Sequence, residues 1–530
     1  MEATTVTPYR SGVRGGRDGF ASLLHAEWTK FRTVRGWVIG MVVAVLVTAG
    51  VGLLGHDSCS NGNNTACTLP LGPDGEAVAD SFYLVRQPLD GNGSITVRMT
   101  SLSGLIPNSS SSSRVKAGSG RGQGSQNMHS GLEPWAKAGI IIEENTSQGA
   151  AYAAMMVTGA HGVRMQYDYT HDMPGLPGAV SAAAPRWLRL TRSGDALTGY
   201  DSADGTHWTQ VGTAHLAGLP ATVQAGLFAA SPRYSQVISQ SLGGSSGTGG
   251  PTLATGALDH VGLRGDWPGG GWSGQDIGGP NAMYPQLPGG FRQVRTGLIV
   301  TGSGDIAPDV PGSGGDGTSI TLTLVGAFAG LIAVIVVGTM FITAEYRRGL
   351  ILITMTACPR RGHVLVAKAI VAGLVAFATG LVAAAIAVPI GERMLRQGGV
   401  FIDPVSTLAK VQLVAGTAAL FAVAAILAVA LGALLRRSTV AVTVAILAIV
   451  APFVLGTVLS GGAVPWLLRV TPAAGFAIQQ VYPRYPQVAP AHTALGGNYP
   501  LAPWAGFAVL CGWAATALGL AVFLLRWRDA

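Results

Sequence analysis

Few residues in this chain stand at spacings that chemistry requires. Gly243, Ser245 and Gly247 have the interval of a nucleophile elbow, but they lie in a Gly/Ser-rich run without the strand and helix that lift the serine. Gly312, Gly314 and Gly317 match a dinucleotide fingerprint with no βαβ unit before them. No Walker A sequence occurs, so the chain carries no P-loop for a nucleoside triphosphate. The ten histidines are scattered, and no pair brackets a glutamate as a zincin needs. Asp57 could act as the acid of a membrane glycosyltransferase, yet no second acid accompanies it. Asp201 and Asp204 lack the alternating oxygens of a calcium loop and read as turn residues. Cys59 and Cys67 share a hydrophilic region and could close a small disulfide loop in an oxidising compartment. No catalytic, cofactor-binding or metal-ligating residue is expected. What remains is charge: Glu345, Tyr346, Arg347 and Arg348 stop an apolar run at once, and Arg360 and Arg361 follow before the next run opens.

The elements around those arginines are membrane spans. The chain has 530 residues, of which 48% are hydrophobic and only 11% charged, and its mean hydropathy is +0.40. Soluble globular domains carry about 25% charge. A helix needs about 20 apolar residues to cross a bilayer, and six runs qualify: 37–54, 320–344, 369–390, 411–435, 439–459 and 504–525. Short basic loops stay in the cytoplasm. Arg347, Arg348, Arg360 and Arg361, then Arg436 and Arg437, then Arg526 and Arg528 therefore predict cytoplasmic N- and C-termini. Charged residues are close to absent within these runs, which argues against a proton- or sodium-driven carrier. The net charge of +8 gathers beside the spans instead of forming a stripe with interleaved aromatics, so no nucleic acid is expected.

Residues 1–19 are expected to be disordered. Residues 20–36 read as an amphipathic helix on membrane lipid, with Phe20, Leu23, Leu24, Trp28, Phe31 and Val34 on one face and Glu27, Lys30, Arg32 and Arg35 largely outside it. Residues 461–503 contain an apolar piece too short and too broken by proline to cross.

Between the first two spans lies one hydrophilic insertion, 55–319, of domain size. Alternation at Ile95, Val97 and Met99, at Val163, Met165 and Tyr167, and at Leu188 and Leu190 predicts strands. Asp204 and Gly205 in LTGYDSADGTHWTQV predict a hairpin. Runs 107–131 and 241–250 read as loops, and 266–319 as a return strap. The segments WAKAGIIIEENTSQGAAYAAMMVTGAHGVRMQYDY and PRWLRLTRSGDALTGYDSADGTHWTQVG resemble the concanavalin A-like, laminin-G-like jelly rolls of bacterial surface proteins over about 77–265. That resemblance implies an extracytoplasmic β-sandwich, with Trp135, Trp187 and Trp208 as candidate platforms for an extracellular glycan.

The order HAEWTKFRTVRGW, one span, a large insertion, then EYRRGLILITMTACPRRGHVLVAK is similar to bacterial type-2 ABC exporter permeases over 20–55 and 300–530. The fold class expected from the spans and the strand pattern is a polytopic α-helical membrane protein of six transmembrane helices plus an extracytoplasmic all-β jelly-roll sandwich inserted between the first and second, an insertion that departs from the permease family's minimal pattern. The resemblance implies a cell-membrane exporter subunit that acts as a dimer with a second permease copy or homologue. ATP and Mg would be bound by a separate ABC ATPase subunit. Glu345, Tyr346, Arg347, Arg348, Arg360 and Arg361 would couple to that ATPase, and Trp28, Lys30, Arg32 and Arg35 would lie on the connecting helix. Residues 463–482 would form a re-entrant hairpin. The competing expectation is a glycan-binding or sensing membrane protein without transport.

Overall fold

The computed structural model describes residues 19–54, 68–108, 128–239, 245–278, 286–295, 297–311, 317–349, 361–458, 463–488 and 499–527. The N-terminal stretch 1–18, Asp57, Cys59, Cys67, Gly243, Gly312, Gly314 and Arg360 lie outside them.

The helical part comprises α1 (Phe20–Thr33), α2 (Arg35–Leu54), α3 (Ala327–Arg347), α4 (Arg361–Gln397), α5 (Thr407–Leu435), α6 (Ser438–Val458), α7 (Ala463–Val470) and α8 (Pro503–Trp527). Among the described residues six helices are long and apolar enough to cross a membrane. Two boundaries differ from expectation. The second span begins as a 3-10 turn, Ile320–Leu324, because the Ser319 side chain accepts the Thr321 N–H and starts a tighter winding. The third begins seven or more residues early, so Lys368 falls inside α4 instead of in a loop.

In lipid there is no hydrophobic drive between apolar helices, so close packing relies on small residues. The antiparallel pair α2 and α3 illustrates this. A Cβ on Gly52 would stand 2.2 Å from the Thr323 carbonyl oxygen, and one on Gly326 would stand 2.2 Å from that of Thr48. Gly330 leaves room for the Thr48 hydroxyl, which donates to the Ala44 carbonyl at 2.7 Å. Gly432 in α5 likewise meets Ile342 of α3. After α7 comes a buried 3-10 stretch, Pro472–Gln479. It reaches into the bundle, where Phe476 stacks on Phe453 with ring centres 4.3 Å apart and Gln479 donates to Thr417 at 3.1 Å. Irregular backbone is tolerated at such depth only when protein surrounds it.

The inserted β domain is built around one long strand, β1 (Phe82–Pro107). It pairs antiparallel with β5 (Thr222–Ala230) and β6 (Leu253–Asp266). It also pairs with β4 (Arg186–Ser193). β2 (Lys137–Glu143) and β3 (Tyr152–Thr158) extend the sheet beyond β5. Every residue of β2 and β3 is buried, because both faces of the sheet are covered. Ile140, Ile142 and Met155 enter a core with Leu188 and Leu190 of β4. Ile141, Tyr152 and Met156 enter a second core with Val78, Tyr169 and Ile306.

The predicted hairpin is present: Ala196–Ser202 pairs with Thr209–His215. Strands also continue past 265, with Gly290–Val294 and Gly297–Gly302 in the same sheet. Ser245–Gly250, expected as loop, pairs with Tyr234–Ser239. Serine and glycine supply backbone hydrogen bonds as well as any residue, and composition alone hides this. The insertion enters and leaves through a two-stranded neck in which Val78–Asp80 pairs with Ile306–Pro308.

Candidate functional site

The most unusual chemistry lies at the end of the bundle away from the β domain. α1 supplies Glu27 and Lys30, one helical turn apart; α3 supplies Glu345 from its last turn; α4 supplies Lys368 from its second turn. Lys368 is fully buried and Glu27 is 1% exposed. The Lys368 ammonium donates to Glu27 Oε2 at 2.5 Å and to Glu345 Oε1 at 2.8 Å. It also sits 4.5 Å from the centre of the Phe341 ring. Lys30 closes the set with contacts of 2.7 Å to Glu27 and 3.2 Å to Glu345. Two acids and two bases thus hold three helices together in a charge-balanced node.

Ionisable groups at membrane depth face the bundle interior and pair with one another. Breaking such a pair by deleting one partner strands a buried charge and costs about 3–5 kcal/mol. Aromatic packing supports the node: Phe31 of α1 meets Phe341 of α3 edge to face at 5.4 Å, and Trp37 of α2 meets the same ring at 5.0 Å.

The node changes the reading of α1. Its inward face is Leu24, Glu27 and Phe31, whereas Phe20, Trp28 and Val34 are exposed. Glu27 was expected largely outside the apolar stripe and lies instead at the centre of the packed face, because Lys368 neutralises it there. Lys30 belongs to the same cluster, while Arg32 and Arg35 are exposed. The relevant signal was available in the spacing: Leu24, Glu27 and Phe31 share one helical face.

Arg347 and Arg348 follow Glu345 by two and three residues and are exposed. Tyr346 is half-buried under the Arg436 guanidinium, 5.4 Å from its ring centre. Arg436 itself ends α5 in a left-handed conformation, φ 55°. Arg361 begins α4.

The three tryptophans of the β domain do not form one platform. Trp135 is buried, stacked on His161 at 4.0 Å, with the Arg164 guanidinium 5.7 Å from its ring centre. Trp187 and Trp208 both pack about the turn at Gly205. A Cβ there would stand 2.7 Å from the Trp187 ring, and the Trp208 indole donates to the Gly205 carbonyl at 3.1 Å. Arg189 covers Trp208 at 3.8 Å, and Arg98 approaches Trp187 at 5.7 Å while binding Asp259 through two 2.7 Å hydrogen bonds. Asp204 accepts the Thr206 and His207 N–H groups, and Asp201 accepts that of Leu176. The Asp204 carboxylate is therefore committed to its own turn, whereas Asp201, expected in a turn, lies in the strand Ala196–Ser202 and holds the backbone at Leu176. Among the described residues no group of three or more His, Cys, Asp or Glu gathers.

Residues 120–530 match the ABC-2 family transporter proteins. The chain belongs to that family. An ABC-2 permease is a multi-pass membrane subunit of an ABC transporter, and the six apolar helices agree with this. Membership implies in general an ABC ATPase as partner, and a transporter subunit instead of an enzyme. Comparison with the curated proteins finds no match.

Among solved structures, a functionally unknown protein from Saccharomyces cerevisiae is similar at 13% identity, covering 39% of this chain and 85% of that one, with a TM-score of 0.22. A GH43 protein from Bacillus licheniformis is similar at 16% identity over 26% of this chain and 24% of that one, with a TM-score of 0.16. A scytalido-glutamic peptidase is similar at 10% identity over 43% of this chain and all of that one, with a TM-score of 0.24. At such scores these likenesses say nothing about what the ABC-2 protein does.

Proposed function

We propose that this chain is the permease of an ATP-driven exporter, working as a dimer with two separate ATPase subunits that bind ATP and Mg. Arg347 and Arg348, together with Arg360 and Arg361, meet the ATPase on the cytoplasmic side. The observation that carries this reading is the charged node: α1, the end of α3 and the start of α4 are fixed to one another within one turn of the exposed arginines. A push on the segment after Arg348 then moves three helices as one body, which is what a rigid-body transition between two exposures of a path requires.

The test is co-purification with an ATPase encoded beside this gene. Arg347→Glu with Arg348→Glu should abolish ATPase stimulation by the permease while thermal stability stays within about 0.5 kcal/mol, since both residues are exposed. Unchanged complex formation and stimulation would sink the coupling role.

A second reading concerns the β domain, placed outside the cell: Trp187 and Trp208, beside Arg98 and Arg189, offer half-exposed aromatic faces to a glycan. A glycan array probed with the full chain should lose signal by about tenfold in Trp208→Ala, the equivalent of about 1.4 kcal/mol for one stacked aromatic. A pure sensor without transport would keep that binding yet give no ATP-dependent movement of any cargo.

A further inference from the structure

One face of the β domain, turned away from its main core, carries two arginines that no acid neutralises. Ile95, Val97 and Met99 of β1 and Leu188 and Leu190 of β4 point into the core, so Thr96, Arg98, Trp187 and Arg189 alternate to the opposite side. The register sets these residues in rows across three strands. Trp187 pairs with Arg98, which pairs with Asp259 of β6; Arg189 pairs with Thr96, which pairs with Gly262; Thr191 pairs with Ser94, which pairs with Arg264. Gly262 leaves the middle row open at its end: a Cβ there would meet nothing nearer than the Thr96 Cβ at 3.9 Å. A gap in the side chains therefore runs over Thr96 and Gly262, with Arg189 at one end and Arg264 beside it.

The charges of this face are not equally engaged. Asp259 is taken by Arg98 through two hydrogen bonds of 2.7 Å, and the His260 ring lies 3.0 Å from the same carboxylate. Asp266 stands past the bulge at Gly265, in the row of Asp90. Among the described residues no carboxylate comes within ion-pair distance of Arg189 or Arg264. Arg189 is nevertheless held in place. Its guanidinium lies 3.8 Å from the Trp208 ring centre and its Nε donates to the Thr96 hydroxyl at 3.2 Å, which leaves its two outer nitrogens without a hydrogen bond. Arg264 is exposed. Burial, and after it the positive charge of Arg264, holds Arg189 below the ordinary guanidinium value, so the two like charges feel each other across β1. Like charges close together on one sheet face repel, and an anion between them would remove that repulsion.

We propose that this face binds an acidic glycan, a carbohydrate chain whose carboxylates pair with Arg189 and Arg264 while its backbone lies over Thr96 and Gly262. The inference rests on the reading of the β domain as glycan-binding and adds the charge of the ligand and its path. A planar guanidinium fork matches a carboxylate in two parallel hydrogen bonds. Trp208 fixes the direction of one fork before any ligand arrives, which lowers the ordering cost of binding. Trp187, half-exposed in the first row, offers an apolar face to a sugar ring. The half-exposed hydroxyls of Thr191 and Thr198 can donate to and accept from sugar hydroxyls.

The full chain in detergent, probed with fluorescein-labelled oligogalacturonate and with the same oligomer reduced at its carboxyls, provides the test. In about 0.05 M salt the acidic oligomer should bind about tenfold tighter than the neutral one or better, and the difference should shrink in about 0.5 M salt, where charge is screened within a few ångströms. Arg264→Ala should weaken binding of the acidic oligomer about tenfold and leave that of the neutral one unchanged. Gly262→Glu, which fills the gap with a negative charge, should abolish acidic binding. Both positions are exposed, so neither variant should move the melting temperature. Equal affinity for the two oligomers would overturn the proposal and leave the stacking role of Trp208 standing, whereas binding of neither would remove both. Acidic binding that survives Arg264→Ala and Gly262→Glu would also overturn it. So would equally tight binding of inorganic polyphosphate, which would make the face a general anion patch instead of a carbohydrate site.

Discussion

The two ends of the helical bundle each bury a cluster of charge, and the clusters are built on opposite plans. At the α1 end Glu27, Glu345, Lys30 and Lys368 balance. At the β-domain end the buried Asp403 carboxyl lies near Asp309, and burial, then the charge of Asp309, pushes it up to about 8. A balanced cluster needs nothing from outside and acts as a permanent fastening between helices. A buried carboxyl raised to about 8 changes its protonation near neutral pH, so it can respond to the medium. In one chain the end proposed to face the ATPase is therefore locked internally, while the junction to the β domain is conditional.

That contrast can be broken most severely at Lys368. Replacing it with Ala leaves Glu27 and Glu345 buried beside each other, with only the half-exposed Lys30 to neutralise them. Thermal or denaturant unfolding should show a loss of about 3–5 kcal/mol. Changing Glu27→Gln and Lys368→Met together should recover part of that loss, since a double-mutant cycle separates the pair from its stranded partner. If Lys368→Ala alone proves neutral, the node is not a fastening. The opposite sign is expected across the molecule at pH above about 8, where Asp403→Asn removes a carboxylate whose charged form burial disfavours. The smallest effect belongs to Lys30→Ala. Its side chain is 39% exposed, so its pairs are screened and should contribute about 0–1 kcal/mol. A loss as large as that at Lys368 would mean that the four charges act as one unit and that exposure is a poor guide here.

Much of this architecture could be read in the sequence. Six apolar runs, the helix before the first, the insertion and its Asp204–Gly205 turn follow from length, hydropathy and turn chemistry, which are local properties. The node was hidden because each member has an ordinary local explanation. Lys368 reads as one more basic residue in a loop, and Glu27 as the polar side of an amphipathic helix. Only the approach of α1, α3 and α4 reveals that the two neutralise each other. Ser245–Gly250 was missed for a related reason: backbone pairing leaves no trace in a Gly/Ser composition. Trp135, Trp187 and Trp208 were grouped because the residue type is the same, whereas the fold buries the first and collects the other two around Gly205. Asp309 and Asp403 are separated by the second and third spans, and nothing in either neighbourhood signals the other.

The neck of the insertion has a consequence for how such a protein can change over time. With Val78 opposite Pro308 and Asp80 opposite Ile306, the first and last strands of more than two hundred residues stand side by side. The whole piece is thus a cassette joined to the chain through two adjacent strands and touched from outside where Gln487 donates to the Tyr169 carbonyl at 2.9 Å, a layout geometrically suited to being gained, exchanged or excised in a single event.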